Sequence, residues 1–300
     1  MNTIPILLDT DIGSDIDDAV ALAYLLRQPR CELLGVTTVS GEPAKRASLA
    51  DAICQAAGRT DIPIHVGAGT PLLVAQRQPH APQVEALAGG RWPHRVFGAA
   101  NTAVDFLRRT IRARPGEITL LAIGPLTNIA LLFALDPDIP DLLKEIVIMG
   151  GLFSCLWERG WGPAEWNIAC DPHAAAMVFA SPVTQLTAVG LDVTTRCALP
   201  AAEYRRRFAA AGGPLAPVAD MAEVWFKHTE HSTFHDPLAA ALIFEPTLCE
   251  TVAGTVSVEL VSPITLGQTL LRPGGDGCHR AAKTVNPDAF FEHYFGVVGG

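Results

Sequence analysis

The chain has 300 residues, 49% hydrophobic and 18% charged, which suits one large α/β domain or two small ones with a substantial core. Its net charge of -9 and pI near 5.4 argue against a nucleic-acid surface, which would be basic. Seven cysteines, an odd number with no C-x-x-C pair, suggest neither a disulfide framework nor a zinc site and fit a reducing cytoplasm.

In chain order, Ile4-Pro5-Ile6-Leu7-Leu8 is an apolar run that predicts a buried strand. No basic segment or cleavage site precedes it, so no signal peptide is expected. Directly after it comes Asp9-Thr10-Asp11-Ile12-Gly13-Ser14-Asp15-Ile16-Asp17-Asp18, five carboxylates in ten residues, and then an apolar helical segment from Ala19 to Leu26. The acids therefore sit at the carboxyl end of a first strand and in the first turn of a helix. Helix capping accounts for one or two aspartates. Five cannot converge unpaired, because each disfavours the ionised form of the next. A hard cation resolves the conflict, and oxygen-only ligands point to Ca²⁺ or Mg²⁺.

Leu33 to Thr38 reads as a second strand and Ala44 to Ala57 as a helix. His65 ends a further short strand and is read as a structural histidine. Gln76 to Val96, rich in Pro, Gly and Arg, reads as a surface loop. The most apolar stretch, Ile118 to Leu135, is broken by Gly124, Pro125, Thr127 and Asn128, so it is a strand (Ile118 to Ile123), a turn and a helix (about Leu126 to Leu135), not a membrane span. Ile146 to Met149 is a short strand ending in Gly150-Gly151, Pro172 to Ala180 is helical, and Gln185 to Leu191 is extended. Arg205-Arg206-Arg207, the only basic run, reads as a solvated helix face. Thr255 to Val261 and Thr265 to Leu271 alternate like a hairpin around Ser262-Pro263. The pattern predicts an α/β fold with an open, mostly parallel sheet and helices on both faces, assigned to a single domain over residues 1–300.

In such sheets ligands bind beyond the carboxyl ends of the strands. Polar clusters recur at those ends: the aspartates, Ser40-Gly41-Glu42, Gly124-Pro125-Leu126-Thr127-Asn128, and Met149-Gly150-Gly151. Further on, Glu165-Trp166-Asn167 places an acid and an amide beside an aromatic, a set suited to sugar hydroxyls. His235-Asp236-Pro237 opens an apolar helix, Leu238 to Phe244. Taken singly, Glu165-Trp166-Asn167 is an ordinary loop and Asp236 an N-cap before a proline. Trp225, His228 and His231 suit a lid over a pocket, though Trp225 suits the core as well. Asp192 reads as a loop or supporting acid.

Together and in this order, these motifs resemble the nucleoside hydrolases of the inosine–uridine-preferring superfamily, from about Ile4 to Val285-Asn286-Pro287-Asp288. The resemblance implies a bound Ca²⁺ and hydrolysis of the N-glycosidic bond of ribonucleosides. By motif, Asp11, Asp18 and Asp236 would supply carboxylate ligands and Ile123 a carbonyl ligand, with ribose hydroxyls and a water completing the shell. Asp17, Glu165 and Asn167 match positions that hold ribose hydroxyls, and Met149, Glu42 and Trp225 are further candidate substrate contacts. Asp11 also matches the base that activates water, and His235 a proton donor to the departing base. Carboxylates suit a reaction that develops positive charge on the sugar. A cation makes water more acidic, and an aspartate can then take its proton. The expected partner is a ribonucleoside, with no nucleic acid and no membrane, in a cytoplasmic homo-oligomer (dimer or tetramer).

Three features depart from the common pattern. Ser14-Asp15-Ile16 gives the longer form of the aspartate motif, with Ile12 where Pro is common. Glu42 stands where many members carry Asn. Arg159-Gly160-Trp161-Gly162 replaces the usual Gly-Asn before Glu165. The main alternative is a phosphotransferase of the haloacid dehalogenase type, which also places two aspartates one residue apart after a first strand and binds Mg²⁺. Gly13 and the Gly-Pro-Leu-Thr-Asn segment do not fit it. A nucleotide-binding Rossmann fold is disfavoured, because no G-x-G-x-x-G follows the first strand. A non-catalytic nucleoside-binding protein is the remaining alternative, against which Asp11 and His235 both argue.

Overall fold

The computed structural model describes residues 3–154, 162–209, 212–275 and 277–299. Its strands are β1 (Ile4–Thr10), β2 (Cys31–Thr38), β3 (Ile64–Val66), β4 (Thr119–Ala122), β5 (Glu145–Met149), β6 (Leu186–Val189), β7 (Ala198–Pro200), β8 (His231–Thr233), β9 (Cys249–Val258), β10 (Thr269–Pro273) and β11 (His279–Val285). The helices are α1 (Asp17–Arg27), α2 (Pro43–Ala56), α3 (Ala103–Ala113), α4 (Thr127–Leu135), α5 (Ile139–Leu142), α6 (Trp166–Cys170), α7 (Pro172–Phe179), α8 (Leu191–Thr194), α9 (Ala201–Phe208), α10 (Leu215–Trp225), α11 (His235–Phe244) and α12 (Pro287–Val298).

Nine strands form one sheet in the order β10-β9-β11-β6-β5-β4-β1-β2-β3, and β7 pairs with β8 in a separate ribbon. From β11 to β3 every neighbouring pair is parallel; β9 and β10 run antiparallel at the other edge. Side chains alternate across the sheet. Ile6 and Leu8 of β1 join one core cluster and Leu7 the other; Leu121 of β4 and Val147 of β5 lie on the first face, Leu120 and Ile146 on the second. The central strands are thus buried on both faces, which explains their unbroken apolar runs. Helices α1, α2, α10, α11 and α12 cover the first face through residues such as Val20, Leu49, Val218, Leu238 and Phe290. Helices α3, α4 and α7 cover the second through Leu107, Ile129 and Ala174. The expected mostly parallel sheet with helices on both faces is therefore present.

The chain leaves β1 toward β2 and β3, then crosses to β4, β5 and β6 on the other side. That reversal opens a crevice at the carboxyl ends of β1 and β4. Register aligns Asp9 with Ala122 and Ala122 with Ile148, so Thr10, Ile123 and Met149 emerge side by side.

Two expectations need correction. The C-terminal hairpin pairs Cys249–Val258 with Thr269–Pro273, and Thr269 faces Val258, so residues 259–268 form a long turn around Ser262-Pro263 and not a tight one. Gln76 to Val96 is also more than a surface loop. It carries a 3₁₀ turn at Pro82–Leu87, and Gln78 and Gln83 are buried. Among the described residues no helix is long and apolar enough to cross a membrane.

Candidate active site

The site begins where β1 ends. Gly13 adopts φ +121°, and a Cβ there would lie 2.7 Å from Leu49 Cδ1, so the turn after Asp11 needs glycine. Arg46 of α2, wholly buried, holds this turn. Its Nη1 donates to the carbonyls of Asp11 and Ile12 and to Ser14 Oγ, its Nε to Gly41 O at 2.7 Å, and its Nη2 to His80 O at 3.0 Å. One guanidinium thus ties three separate loops, and its positive charge opposes the upward shift of Asp11 and Asp18. Asp17 and Asp18 fall in the first turn of α1, and Thr10 Oγ1 donates to Asp18 Oδ1 at 2.5 Å.

A cavity of about 500 Å³ opens over this point. Asp11, Asp17, Asp18, Ile123 and Asp236 all line it, as do Met149, Glu165, Asn167, Trp225 and His235. Ten of the eleven predicted site residues therefore converge. Glu42 is the exception. Its carboxylate meets Lys45 Nζ at 2.5 Å and accepts from Ala81 N at 3.0 Å, outside the cavity. Its backbone, like that of Ser40, is left-handed, with φ of 57° and 73°.

Asp17, Asp18 and Asp236 bring carboxylate oxygens within 4.8 Å of one another. Asp11 lies outside that tight group but lines the same cavity. Burial raises the carboxyls of all four above their ordinary range, and mutual repulsion raises Asp17, Asp18 and Asp236 further. An all-oxygen, anionic, buried donor set of this kind suits a hard divalent cation, whose charge would let the carboxylates ionise together. The Ile123 carbonyl accepts from Asn167 Nδ2 at 2.8 Å and retains a lone pair.

Glu165 caps α6, accepting from Asn167 N, Ile168 N and Gly151 N at 2.8, 3.1 and 3.3 Å. Burial still pushes its carboxyl up to about 7. His235 places Nδ1 2.7 Å from Thr194 Oγ1, and burial lowers its imidazolium to about 4. The ring is therefore neutral at physiological pH. Trp225 ends α10 and donates to His231 O at 3.3 Å; His228 and His231 do not line the cavity. Asp192 accepts from Phe153 N at 2.9 Å. His65 stacks on Phe106 and meets Thr102 Oγ1, the structural role expected of it. Arg159, Gly160 and Trp161 lie outside the described residues.

Three features escaped sequence reasoning. Asp9 does not face the cavity; strand alternation turns it to Thr37 and Asn128. Gln78 reaches the cavity from its loop and donates to Asp11 Oδ2 at 2.5 Å. Thr194 supports His235. Of these, only Asp9 carried a usable signal, its even spacing from Leu7, which turns it to the sheet face opposite Ile6 and Leu8.

The profile of the inosine-uridine preferring nucleoside hydrolases matches residues 6–292. This chain belongs to that family. As a nucleoside hydrolase it is an N-ribohydrolase, and the phosphotransferase alternative lapses. It is 33% identical over 283 residues to the pyrimidine-specific ribonucleoside hydrolase RihA of Escherichia coli (strain SMS-3-5), covering 89% of this chain and 88% of the relative. The purine-preferring ribonucleoside hydrolase of Gardnerella vaginalis has the same fold, with a TM-score of 0.83, 25% identity and coverage of 99% of this nucleoside hydrolase and 98% of the other. An inosine-uridine preferring nucleoside hydrolase from Bacillus anthracis superposes with a TM-score of 0.76 at 24% identity, covering 99% of both chains.

Proposed function

We propose that this chain is a calcium-dependent hydrolase of ribonucleosides, in which water attacks the sugar directly and no enzyme nucleophile is used. The observation that carries this reading is the convergence of Asp11, Asp17, Asp18, Glu165, Asn167, His235 and Asp236 on one cavity that also has apolar walls in Pro82, Leu191 and Trp225.

Asp18 and Asp236, with Asp11 and the Ile123 carbonyl, would hold the cation, and the geometry adds Asp17 as a near neighbour. When bound, calcium supplies charge that keeps these carboxylates ionised, orients the ribose and acidifies water. Asp11 takes a proton from the attacking water. Asp17, Glu165 and Asn167 receive ribose hydroxyls, and the surrounding carboxylates stabilise the positive charge that develops on the sugar. His235, neutral and oriented by Thr194, assists the departing base through a donated hydrogen bond. Trp225 and Leu191 give the base an apolar surface.

Ribose release from a panel of purine and pyrimidine ribonucleosides tests the activity. Metal analysis of protein purified without added metal tests the cofactor. Calcium in stoichiometric amount, with activity lost in chelator, is expected. Absence of ribose release from every nucleoside would overturn the activity, and zinc or no metal with full activity in chelator would overturn the cofactor.

A further inference from the structure

The side chain that meets Asp11 comes from the segment between β3 and α3. Gln78, 8% exposed, donates through Nε2 to Asp11 Oδ2 at 2.5 Å and accepts through Oε1 from Trp166 Nε1 at 2.6 Å. The indole nitrogen only donates. The edge of the amide that meets Trp166 must therefore be its oxygen, and the NH₂ is delivered to the carboxylate. Without the indole, the amide could turn its oxygen toward Asp11, which would repel it.

The surroundings hold this arrangement. Gln78 N donates to Gln76 Oε1 at 2.8 Å, and Gln76 Nε2 to Gly69 O at 2.8 Å. Gly41 packs so closely that a Cβ there would lie 2.4 Å from Gln78 O. The Arg77 guanidinium sits 5.0 Å from the Trp166 ring centre. The neighbouring Asn167 anchors to Ile123 O and Met149 O, so Trp166 is fixed to the same strand ends that form the cavity floor.

We propose that Gln78 is a positioning residue for Asp11: its amide, oriented by Trp166, holds Oδ2 and sets the rotation of the carboxylate that water and cation must meet. This rests on the reading of Asp11 as base and ligand. With Glu42 turned out of the cavity, the amide facing Asp11 is supplied by a segment 36 positions further along the chain.

The test measures kcat, KM and thermal stability on the best ribonucleoside of the panel, and the calcium affinity of depleted protein by calorimetry. Outer groups that orient metal ligands are typically worth about 10- to 100-fold in affinity or activity. Gln78→Ala should lower kcat and calcium affinity in that range with little change in KM or Tm. Gln78→Glu should lose more, because a second carboxylate faces Asp11. Trp166→Phe should fall part of the way, and Gln78→Ala/Trp166→Phe should be no worse than Gln78→Ala, because Trp166 acts through Gln78. Wild-type kcat and calcium affinity in Gln78→Ala, a loss that merely follows the unfolded fraction, or additive losses in the double variant would overturn the proposal. If the wild-type protein releases no ribose, the functional reading fails by itself. Calorimetry then still decides the positioning role, with unchanged affinity in Gln78→Ala overturning it.

Discussion

Asn128 donates its side-chain amide to Asp9 Oδ1 at 2.8 Å, joining two residues 119 positions apart. The same NH₂ donates to Thr38 O at 3.0 Å, and Asn128 Oδ1 accepts from Ala68 N at 2.9 Å. One amide therefore fastens β1, β2 and the turn after β3 to the start of α4. Asn128→Ala should take this partner from the Thr38 carbonyl and the Ala68 N–H and leave Asp9 Oδ1 with Thr37 alone, and an unsatisfied buried group costs about 1–3 kcal/mol. A loss of at least about 2 kcal/mol in urea unfolding is expected. Asn128→Asp should cost more, because it sets a second carboxyl against Asp9, whose own is already pushed by burial to about 7. Unchanged unfolding midpoints in both variants would refute the role.

Ribonucleosides should be cleaved and their 2′-deoxy counterparts should be poor substrates. Removing the hydroxyl leaves buried polar groups, Asp17 among them, without their partner. Sites built around a hydroxyl reject its absence by about 10⁴-fold or more. The comparison is kcat/KM for adenosine and 2′-deoxyadenosine, or for the matched pair of whichever base is active. Equal values would count against the ribose assignment.

Asp11 and His235 should differ in how their loss depends on the leaving group. Asp11→Asn should lower kcat by about 10²–10⁴-fold on every nucleoside. His235→Ala should impair inosine and uridine but spare p-nitrophenyl riboside, whose leaving group departs without a proton. A uniform defect in His235→Ala, accompanied by lower thermal stability, would reduce His235 to a packing residue at the start of α11.

Glu165 gives a pH signature. Burial raises its folded-state value to about 7, above the ordinary 4.5 that serves for the unfolded chain. A raised carboxyl contributes stability in its protonated form. That contribution is complete below about 4.5 and is lost as pH rises through about 7. In calcium-depleted protein, the stability advantage of wild type over Glu165→Ala should therefore shrink from pH 4.5 to pH 8, by up to about 3 kcal/mol. Calcium should flatten the slope, because it favours ionised carboxylates nearby. Denaturant unfolding across this range, with and without calcium, is the measurement.

The sheet and most of the cavity were legible because their signals are local. Apolar runs such as Ile4–Leu8 and Ile118–Ile123 read as strands buried on both faces, and the aspartates, Glu165-Trp166-Asn167 and His235-Asp236 are short contiguous motifs. What escaped depends on contacts between distant positions. Gln78 is a lone polar residue in a loop rich in proline and arginine, and its meaning lies in Asp11, 67 positions earlier, and Trp166, 88 later. Arg46 looks like one more charge on a helix until folding buries it. Glu42 misled for the converse reason: its place in the chain suggested a cavity contact, but Lys45, one helical turn on, and Ala81 N draw its carboxylate away. β11 lies between β9, about thirty positions upstream, and β6, about ninety upstream, and its short polar-rich sequence, His279–Val285, carries no apolar run.

Four of the five groups that receive a hydrogen bond from Arg46 are main-chain carbonyls, those of Gly41, Asp11, Ile12 and His80. A carbonyl is present whatever side chain follows it. The clamp thus constrains the path of the chain at position 80 without using the His80 side chain. Evolution, or a protein engineer, can rewrite the side chain at position 80 without disturbing the aspartate turn, provided Gln78 and Gln83 are kept and the segment returns a carbonyl to the same point.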